Sequence, residues 1–203
     1  MSTKNDLHLY MIRHGETDWN VRHILQGTAD IPLNENGRTQ ALVLAKELEE
    51  KGLIFDRIYC SPLSRAKDTA MLATGCSAED LIIDPRLIEI EFAELEGAPY
   101  ELRDPEAVAR LPENLRNFAE DPAHFVPVEG GEHFQDVIRR LGSFLADLER
   151  TVDKEENVLI VSHGCALHGL LYELCEKTDL KDYWEPLLGN CRLAEWKKGE
   201  LIL

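Results

Sequence analysis

The sequence predicts an α/β protein with three layers, in which helices cover both faces of a mostly parallel central sheet. Short apolar runs typical of strands alternate along the chain with longer segments in which apolar residues recur every three or four positions, as in helices. The run from Val158 to Val161 is apolar at every position, as expected for a strand covered on both faces. With 203 residues, the chain is long enough for one domain, residues 1–203, that buries its own core.

The first half of the chain contains three predicted strands and two predicted helices. Apolar residues of the first helical segment share one face, and Gly52 follows it as a typical stop signal. Pro62 is expected to open the second helix, since proline is common in the first helical turn. The predicted strands are 7–12, 57–61 and 81–83, and the predicted helices are 35–51 and 62–75.

The second half begins with an irregular segment, residues 98–131, in which five prolines interrupt short helical patches. Such segments in compact domains are usually lids or binding loops, and we expect this one to cover the functional site. A regular helix is predicted from Phe134, because apolar residues then keep a 3.6-residue period. Another helix is predicted over 164–177, and residues 192–196 and 200–203 are expected to form a hairpin at the sheet edge.

Charge and cysteine content limit the function classes. The 38 acidic and 22 basic residues give a formal net charge of −16, which disfavours binding to nucleic acids and to anionic membrane surfaces. The five cysteines form no Cys-x-x-Cys pair, and the N-terminus has no apolar leader segment. We therefore expect a cytoplasmic protein with reduced thiols.

Two histidine–glycine pairs follow predicted strands. His14-Gly15 follows the first strand, and His163-Gly164 follows the strand that begins near Val158. Ligands of parallel sheets bind at the carboxyl ends of the strands, and glycine lets backbone and ligand approach closely. One such histidine alone is more often structural, but two at neighbouring strand ends, the first preceded by Arg13, indicate an anion site.

Motifs along the chain resemble one known family. The segment from Leu9 to Thr17, LYMIRHGET, is similar to the opening of the histidine phosphatase superfamily, also called the phosphoglycerate mutase-like family. Similar motifs follow in family order at Gln26-Gly27, residues 61–66 (SPLSRA), 87–90 (LIEI) and 96–97 (EG), Gly131-Glu132, residues 161–164 (VSHG) and Asn190. The resemblance covers most of the chain and implies the phosphoglycerate mutase-like fold.

The resemblance also implies phosphoryl transfer through a phosphohistidine. His14 would be the nucleophile, and one of its ring nitrogens should donate to a backbone carbonyl so that the other is free to attack. Glu89 would be the general acid that protonates the leaving oxygen. The positive charge for the phosphate would come from Arg13, Arg65 and His163, the last of these best protonated. The expected substrate contacts are Asn20, Gln26, Gly27 and Gly164.

Plainer roles are available for the same residues. Arg13 is compatible with a surface ion pair, and Arg65 with a pair to Asp68 one helical turn away. Glu89 is one of four acids between residues 89 and 96, and Glu91 is the alternative general acid. No acidic cluster resembles a Mg²⁺ site, so neither a metal nor a cofactor is expected.

The expected function is a metal-independent phosphatase that acts on a small phosphorylated metabolite. Ile90 follows Glu89 where the cofactor-dependent mutases of the family usually have Arg, and the lid has no adjacent arginine pair, which favours hydrolysis over isomerisation. A mutase-type isomerase and a non-catalytic binding domain on the same fold are the alternatives. The lid has three basic residues (Arg103, Arg110 and Arg116) against seven acidic ones, so singly phosphorylated substrates are expected to be preferred. A homodimer is compatible with the sequence.

Overall fold

A six-stranded sheet forms the centre of the computed structural model, which describes residues 3–100 and 105–203. The strands are β1 (His8–Arg13), β2 (Arg57–Cys60), β3 (Leu81–Ile83), β4 (Asn157–Ser162), β5 (Leu193–Lys197) and β6 (Glu200–Ile202). Their order across the sheet is β3-β2-β4-β1-β5-β6. The first four strands in this order are parallel. The predicted hairpin is present at one edge, where β5 runs antiparallel to both β1 and β6.

Helices pack on both faces of this sheet. They are α1 (Asp18–Val21), α2 (Glu35–Glu50), α3 (Ser64–Thr74), α4 (Pro105–Arg110), α5 (Glu113–Glu120), α6 (Phe134–Thr151) and α7 (Gly164–Leu174). Alternate residues of β1 belong to two separate cores: Leu9 and Met11 join α6 and α7, whereas Tyr10 and Ile12 join α2 and α3. The strand β4 divides its side chains in the same way, which explains why residues 158–161 are apolar at every position.

Two helix boundaries differ from the sequence prediction by two residues or more. The helix α3 begins at Ser64 rather than at Pro62, because Leu63 is extended and its N–H donates to the Ser61 hydroxyl in a turn before the helix. The helix α7 ends at Leu174, before the predicted end at residue 177, and Glu176 has a φ of +53° that a helix cannot continue.

The predicted lid is described at residues 98–100 and 105–131, and residues 101–104, which include Arg103, lie outside the described part of the chain. The segment 105–131 contains α4 and α5 and packs onto the main core through the buried ring of Phe118. That ring contacts the rings of Phe92, Tyr100, Phe125, Phe134 and Trp184. Within the described ranges, no helix combines the length and apolar character needed to cross a bilayer.

Candidate active site

His14 and His163 lie side by side at the carboxyl ends of β1 and β4. The parallel register pairs Arg13 with Ser162, and the next N–H, that of His14, donates to the Ser162 carbonyl (3.0 Å). The two imidazole rings consequently lie 5.1 Å apart between centroids. Strand pairing therefore brings together two groups that are far apart in the sequence.

The His14 ring is held in one tautomer. Its Nδ1 lies 2.7 Å from the carbonyl oxygen of Gly15. Because a carbonyl oxygen only accepts, Nδ1 carries the proton and Nε2 keeps its lone pair, as expected from the sequence. Burial, and then the positive charges of Arg65 and Arg13, hold the pKa of His14 well below 6.5. His14 is therefore a neutral imidazole with a free Nε2, the form that can attack phosphorus.

The backbone around His14 is fixed by contacts from distant segments. Asn190 Nδ2 donates to the His14 carbonyl (2.6 Å), and the Gly15 N–H donates to the Thr69 hydroxyl (2.9 Å). Gly15 has no room for a side chain, since a Cβ there would lie 2.6 Å from the Gly37 carbonyl oxygen. The glycine after the nucleophile is thus required by close packing of this loop against α2.

Two buried guanidinium groups flank the histidines. Arg65 donates to the carbonyl oxygens of Gly27 and Ala29 (both 2.7 Å), and Arg13 donates to that of Leu188 (3.2 Å). The Nε atoms of both arginines are buried and have no partner. Burial is the main reason that the pKa of Arg65 falls, to about 10.

Neither arginine has a carboxylate within ion-pair distance in the described part of the chain, so the ion-pair roles considered for them are not observed. Asp68, the alternative partner of Arg65, instead lies 3.6 Å from Arg38. Buried positive charge without a paired anion is unfavourable, and it favours binding of a negative ligand.

His163 contributes a third unpartnered nitrogen. Its Nε2 contacts the Ser61 hydroxyl (2.7 Å), whereas its Nδ1 is buried without a partner. Burial and the nearby Arg65 lower its pKa well below 6.5. In the free site His163 is therefore expected to be neutral, chiefly because it is buried, and its protonation while it stabilises the transferring oxygens stays a prediction. A bound dianion would favour the protonated form.

Glu89 lies at the N-terminus of α7, across the pocket from the arginines. Its Oε1 accepts from the N–H groups of Ala166 and Ile90 (both 3.0 Å), and its Oε2 accepts from that of Cys165 (3.1 Å). The carboxylate thus uses two free N–H groups of the first helical turn. Glu91, the alternative acid, instead accepts from the Thr28 hydroxyl and the Ala93 N–H.

Gly164 and two amide side chains line the pocket beside these groups. A Cβ on Gly164 would lie 3.5 Å from Arg13 Cζ and 3.7 Å from Glu89 Oε2, so the glycine keeps the space between the two charges open. The oxygens of Asn20 and Gln26 accept from the Thr17 N–H (3.1 Å) and hydroxyl (2.6 Å). Their NH₂ groups remain as hydrogen-bond donors for a ligand.

Gly27 is placed differently from the other expected substrate contacts. Its N–H donates to Glu96 Oε1 (2.7 Å) and its carbonyl accepts from Arg65, so both polar groups are used inside the protein. The same Glu96 oxygen lies 3.4 Å from the Ala29 nitrogen. Gly27 therefore supports Arg65 through the 26–30 loop, and Glu96 supports that loop. Sequence reasoning quoted Glu96 within a motif but gave it no role.

A pocket of about 330 Å³ adjoins the site, and Arg13, Asn20, Gln26, Glu89 and Gly164 form part of its wall. Part of its wall is aromatic: Phe118 belongs to the predicted lid, whereas Phe92, Tyr100 and Trp184 were not predicted as pocket residues. These side chains come from separate segments without a shared motif, so no local signal could have grouped them. His168 also lines the pocket, and its two ring nitrogens contact the carbonyl oxygens of Gly164 (2.6 Å) and Pro186 (3.0 Å).

A neutral histidine with a free ring nitrogen, next to buried cations that have no paired anion, is typical of a protein that binds oxyanions such as phosphate esters. A model of the histidine phosphatase superfamily (branch 1) matches residues 9–199, and the chain belongs to this superfamily. Phosphoserine phosphatase 1 of Hydrogenobacter thermophilus is 33% identical over 176 residues, which cover 87% of this chain and 79% of that protein.

Two further relatives have similar coverage. A protein of an Enterobacter species named "Probable phosphoglycerate mutase GpmB" is 35% identical and covers 79% of this chain and 71% of its own length. The solved structure of Bacillus stearothermophilus YhfR has a TM-score of 0.77 and 33% identity, with 93% of this chain and 90% of that chain covered. The fold is thus phosphoglycerate mutase-like, and the relatives indicate hydrolysis of phosphomonoesters through a histidine.

Proposed function

We propose that the protein hydrolyses monoesters of phosphate with small organic alcohols, and that His14 carries the phosphoryl group between two half-reactions. The observation that carries the proposal is the free Nε2 of His14 beside three buried, unpartnered nitrogens: Arg13 Nε, Arg65 Nε and His163 Nδ1. These groups match a nucleophile and the equatorial oxygens of a phosphoryl group. The substrate is a small phosphorylated metabolite.

In the first half-reaction, the lone pair of His14 Nε2 forms the N–P bond while the bond from phosphorus to the ester oxygen breaks. The electron pair of that bond leaves with the oxygen, and Glu89 supplies the proton that makes it an alcohol. Arg13 and Arg65 stabilise the charge on the transferring oxygens.

In the second half-reaction, a water molecule attacks phosphorus and the N–P bond breaks. Its electron pair returns to Nε2, and Glu89 takes the proton from the water. Inorganic phosphate leaves, and the neutral His14 is restored. The bond from Nδ1 to the Gly15 carbonyl holds the ring in the same orientation through both steps.

The fixed positive charge is supplied by side chains, so we propose that turnover needs no divalent ion. Arginine can replace Mg²⁺ at the phosphoryl oxygens because its fork donates in the plane of two of them. Full activity is expected after dialysis against excess EDTA. Complete loss that one divalent ion restores would contradict this part of the proposal.

Trapping of the intermediate tests the nucleophile. Enzyme mixed with a ³²P-labelled monoester and quenched in alkali within milliseconds should contain a phosphoprotein that is stable in base and labile in acid. The isosteric His14→Asn should give no label and lose at least about 10³-fold in kcat. The matched control is His133→Asn at an exposed position. Normal turnover by His14→Asn would reject the mechanism.

The relative named as a probable phosphoglycerate mutase makes isomerisation the second candidate. A mutase needs a bisphosphorylated primer and returns the phosphoryl group to the substrate, so it releases no inorganic phosphate. Stoichiometric release of phosphate without primer selects the hydrolase. Primer-dependent conversion of 3-phosphoglycerate without release selects the mutase.

A further inference from the structure

The wall of the pocket beyond the phosphate groups is apolar and aromatic. Ile24, Phe92, Tyr100, Phe118, Trp184 and Leu187 line the pocket together with Arg13 and Glu89. Trp184 Nε1 donates to the Phe118 carbonyl (2.8 Å), so its polar atom is already used. The Phe118 ring stacks on that of Phe134 (5.2 Å between centroids, 13° between planes), which fixes this side of the wall.

The charged side chains that line this pocket in the described chain are two that the proposed mechanism already assigns to phosphoryl transfer. Among the lining residues of the described chain, Arg13 and Glu89 are the charged ones, and both face the phosphoryl site. The remaining polar lining groups are Asn20, Gln26 and His168. Each ring nitrogen of His168 lies against a backbone carbonyl (2.6 and 3.0 Å), and because a carbonyl oxygen only accepts, the neutral ring donates to one of them.

The two lid arginines in the described chain, Arg110 and Arg116, add no positive charge to the pocket wall. Arg110 is paired with Glu106 on an exposed surface, and Arg116 is absent from the pocket wall. Among the described residues, a carboxylate on the alcohol part of a substrate would therefore lose water without gaining a further cation, which is strongly unfavourable. An apolar or aromatic group would instead gain contact with four aromatic side chains.

We propose that the alcohol part of the substrate is an uncharged group that is largely apolar or aromatic, and that monoesters bearing a carboxylate, such as phosphoserine, are disfavoured. This inference rests on the proposed phosphatase function and adds the chemical class of the substrate. It separates this chain from what the name of the Hydrogenobacter thermophilus relative would suggest.

A matched pair of esters tests the charge selection. Phenyl phosphate and 4-carboxyphenyl phosphate differ by one carboxylate, and the second has the slightly better leaving group. We expect kcat/KM for phenyl phosphate to be at least about 30-fold higher, and phosphoserine to be a poorer substrate than phenyl phosphate. Equal values, or a preference for either carboxylated ester, would overturn the inference.

A variant at the rim tests the cause of the selection. Leu187 lines the pocket and is 82% exposed, so a longer polar side chain fits there. Leu187→Arg should improve kcat/KM for 4-carboxyphenyl phosphate relative to phenyl phosphate about fivefold, and less in high salt. Leu187→Gln is the uncharged control. A ratio that is the same in both variants would contradict selection by charge.

Failure of the proposed phosphatase function and failure of the proposed substrate class would give different results. Absence of phosphate release and of a trapped phosphoprotein with every ester would reject the proposed function itself. Efficient hydrolysis with preference for carboxylated esters would keep that function and reject only the substrate class. If Arg103→Ala then abolished this preference, the cation responsible would lie in residues 101–104, outside the described chain.

Discussion

At the scale of single residues, the site depends on which atoms have been left without partners. The carbonyl oxygen of Gly15 accepts a hydrogen bond from His14 Nδ1–H and thereby leaves Nε2 free. Arg13, Arg65 and His163 each keep one buried nitrogen unpaired. Unpaired buried polar atoms are uncommon in folded proteins, and three around one nucleophile mark the place of a ligand.

The low pKa of His14 can be measured directly in the free enzyme. Burial and the charges of Arg65 and Arg13 disfavour the imidazolium, so the ring should stay neutral as the pH falls through 6.5. The measurement is an NMR titration of protein with ¹³C-labelled histidine. The Cε1–H signal of His14 is identified because it disappears in His14→Asn. The chemical shift of this signal should have its inflection well below pH 6.5. An inflection at 6.5 or above would contradict the neutral nucleophile.

The role of Glu89 is tested through the leaving group. Glu89→Gln should slow hydrolysis of alkyl phosphates by roughly 10²–10⁴-fold, since an alkoxide needs a proton to leave. Loss on p-nitrophenyl phosphate should be much smaller, because that anion leaves without one. Glu91→Gln is the matched control, since Glu91 contacts Thr28 and Ala93 instead. Equal losses of Glu89→Gln on both esters would remove Glu89 from the role of acid.

At the scale of elements, the 26–30 loop connects the carboxylate of Glu96 to the buried side chain of Arg65. Glu96 accepts from the N–H of Gly27, and the carbonyls of Gly27 and Ala29 accept from Arg65. The pKa of Glu96 is raised, chiefly by burial, while its Oε2 has no partner. The 26–30 loop thus holds Arg65 in a fixed direction without placing a carboxylate against it.

Removal of the Glu96 carboxylate should loosen this arrangement. Glu96→Ala is expected to weaken inhibition by vanadate about tenfold, the size of one lost hydrogen bond to a charged group. Glu96→Gln keeps an oxygen acceptor and should recover most of the binding. Glu94→Ala, at an exposed position nearby, is the control. Similar vanadate inhibition in Glu96→Ala and Glu94→Ala would assign Glu96 a purely structural role.

At the scale of the whole molecule, the site makes the fold sensitive to acid. His14, His163 and His168 are buried, and burial is the main reason that each has a pKa below 6.5. Below pH 6.5 the unfolded chain binds protons that the native protein does not. The free energy of unfolding therefore decreases as the pH falls from 6.5 towards the native pKa values, and this loss is absent above 6.5.

Each of these histidines contributes a slope of up to about 1.4 kcal/mol per pH unit in that window. Urea unfolding between pH 7.5 and 5.5, in buffers without phosphate, measures the total. His14→Asn removes one titrating ring, so its slope should be smaller by roughly that amount. Identical slopes for the two proteins would contradict a neutral, buried His14.

The sequence by itself determined the order of the strands and helices, and it identified the candidate site residues that lie within short sequence motifs. Strand and helix periodicity follows from which faces are buried, and the parallel sheet then requires that His14 and His163 meet at strand ends. Sequence motifs also selected Arg65, whose burial no local pattern shows. The predicted fold class is confirmed, and His14 and His163 lie side by side as expected, because periodicity and motifs depend on neighbouring residues; the role of Arg65 stays a prediction.

Only the tertiary structure shows the contacts that favour one of the roles that the sequence left open for a residue. Glu89 and Glu91 are two residues apart, and only the packing of α7 gives Glu89 the N–H groups of Cys165 and Ala166. Gly27 supports Arg65 because Glu96 occupies its N–H. The aromatic wall joins Tyr100, Phe118 and Trp184 from distant segments. Each of these contacts depends on side chains that meet only after the sheet and its helices have packed, so no window of neighbouring residues contains them.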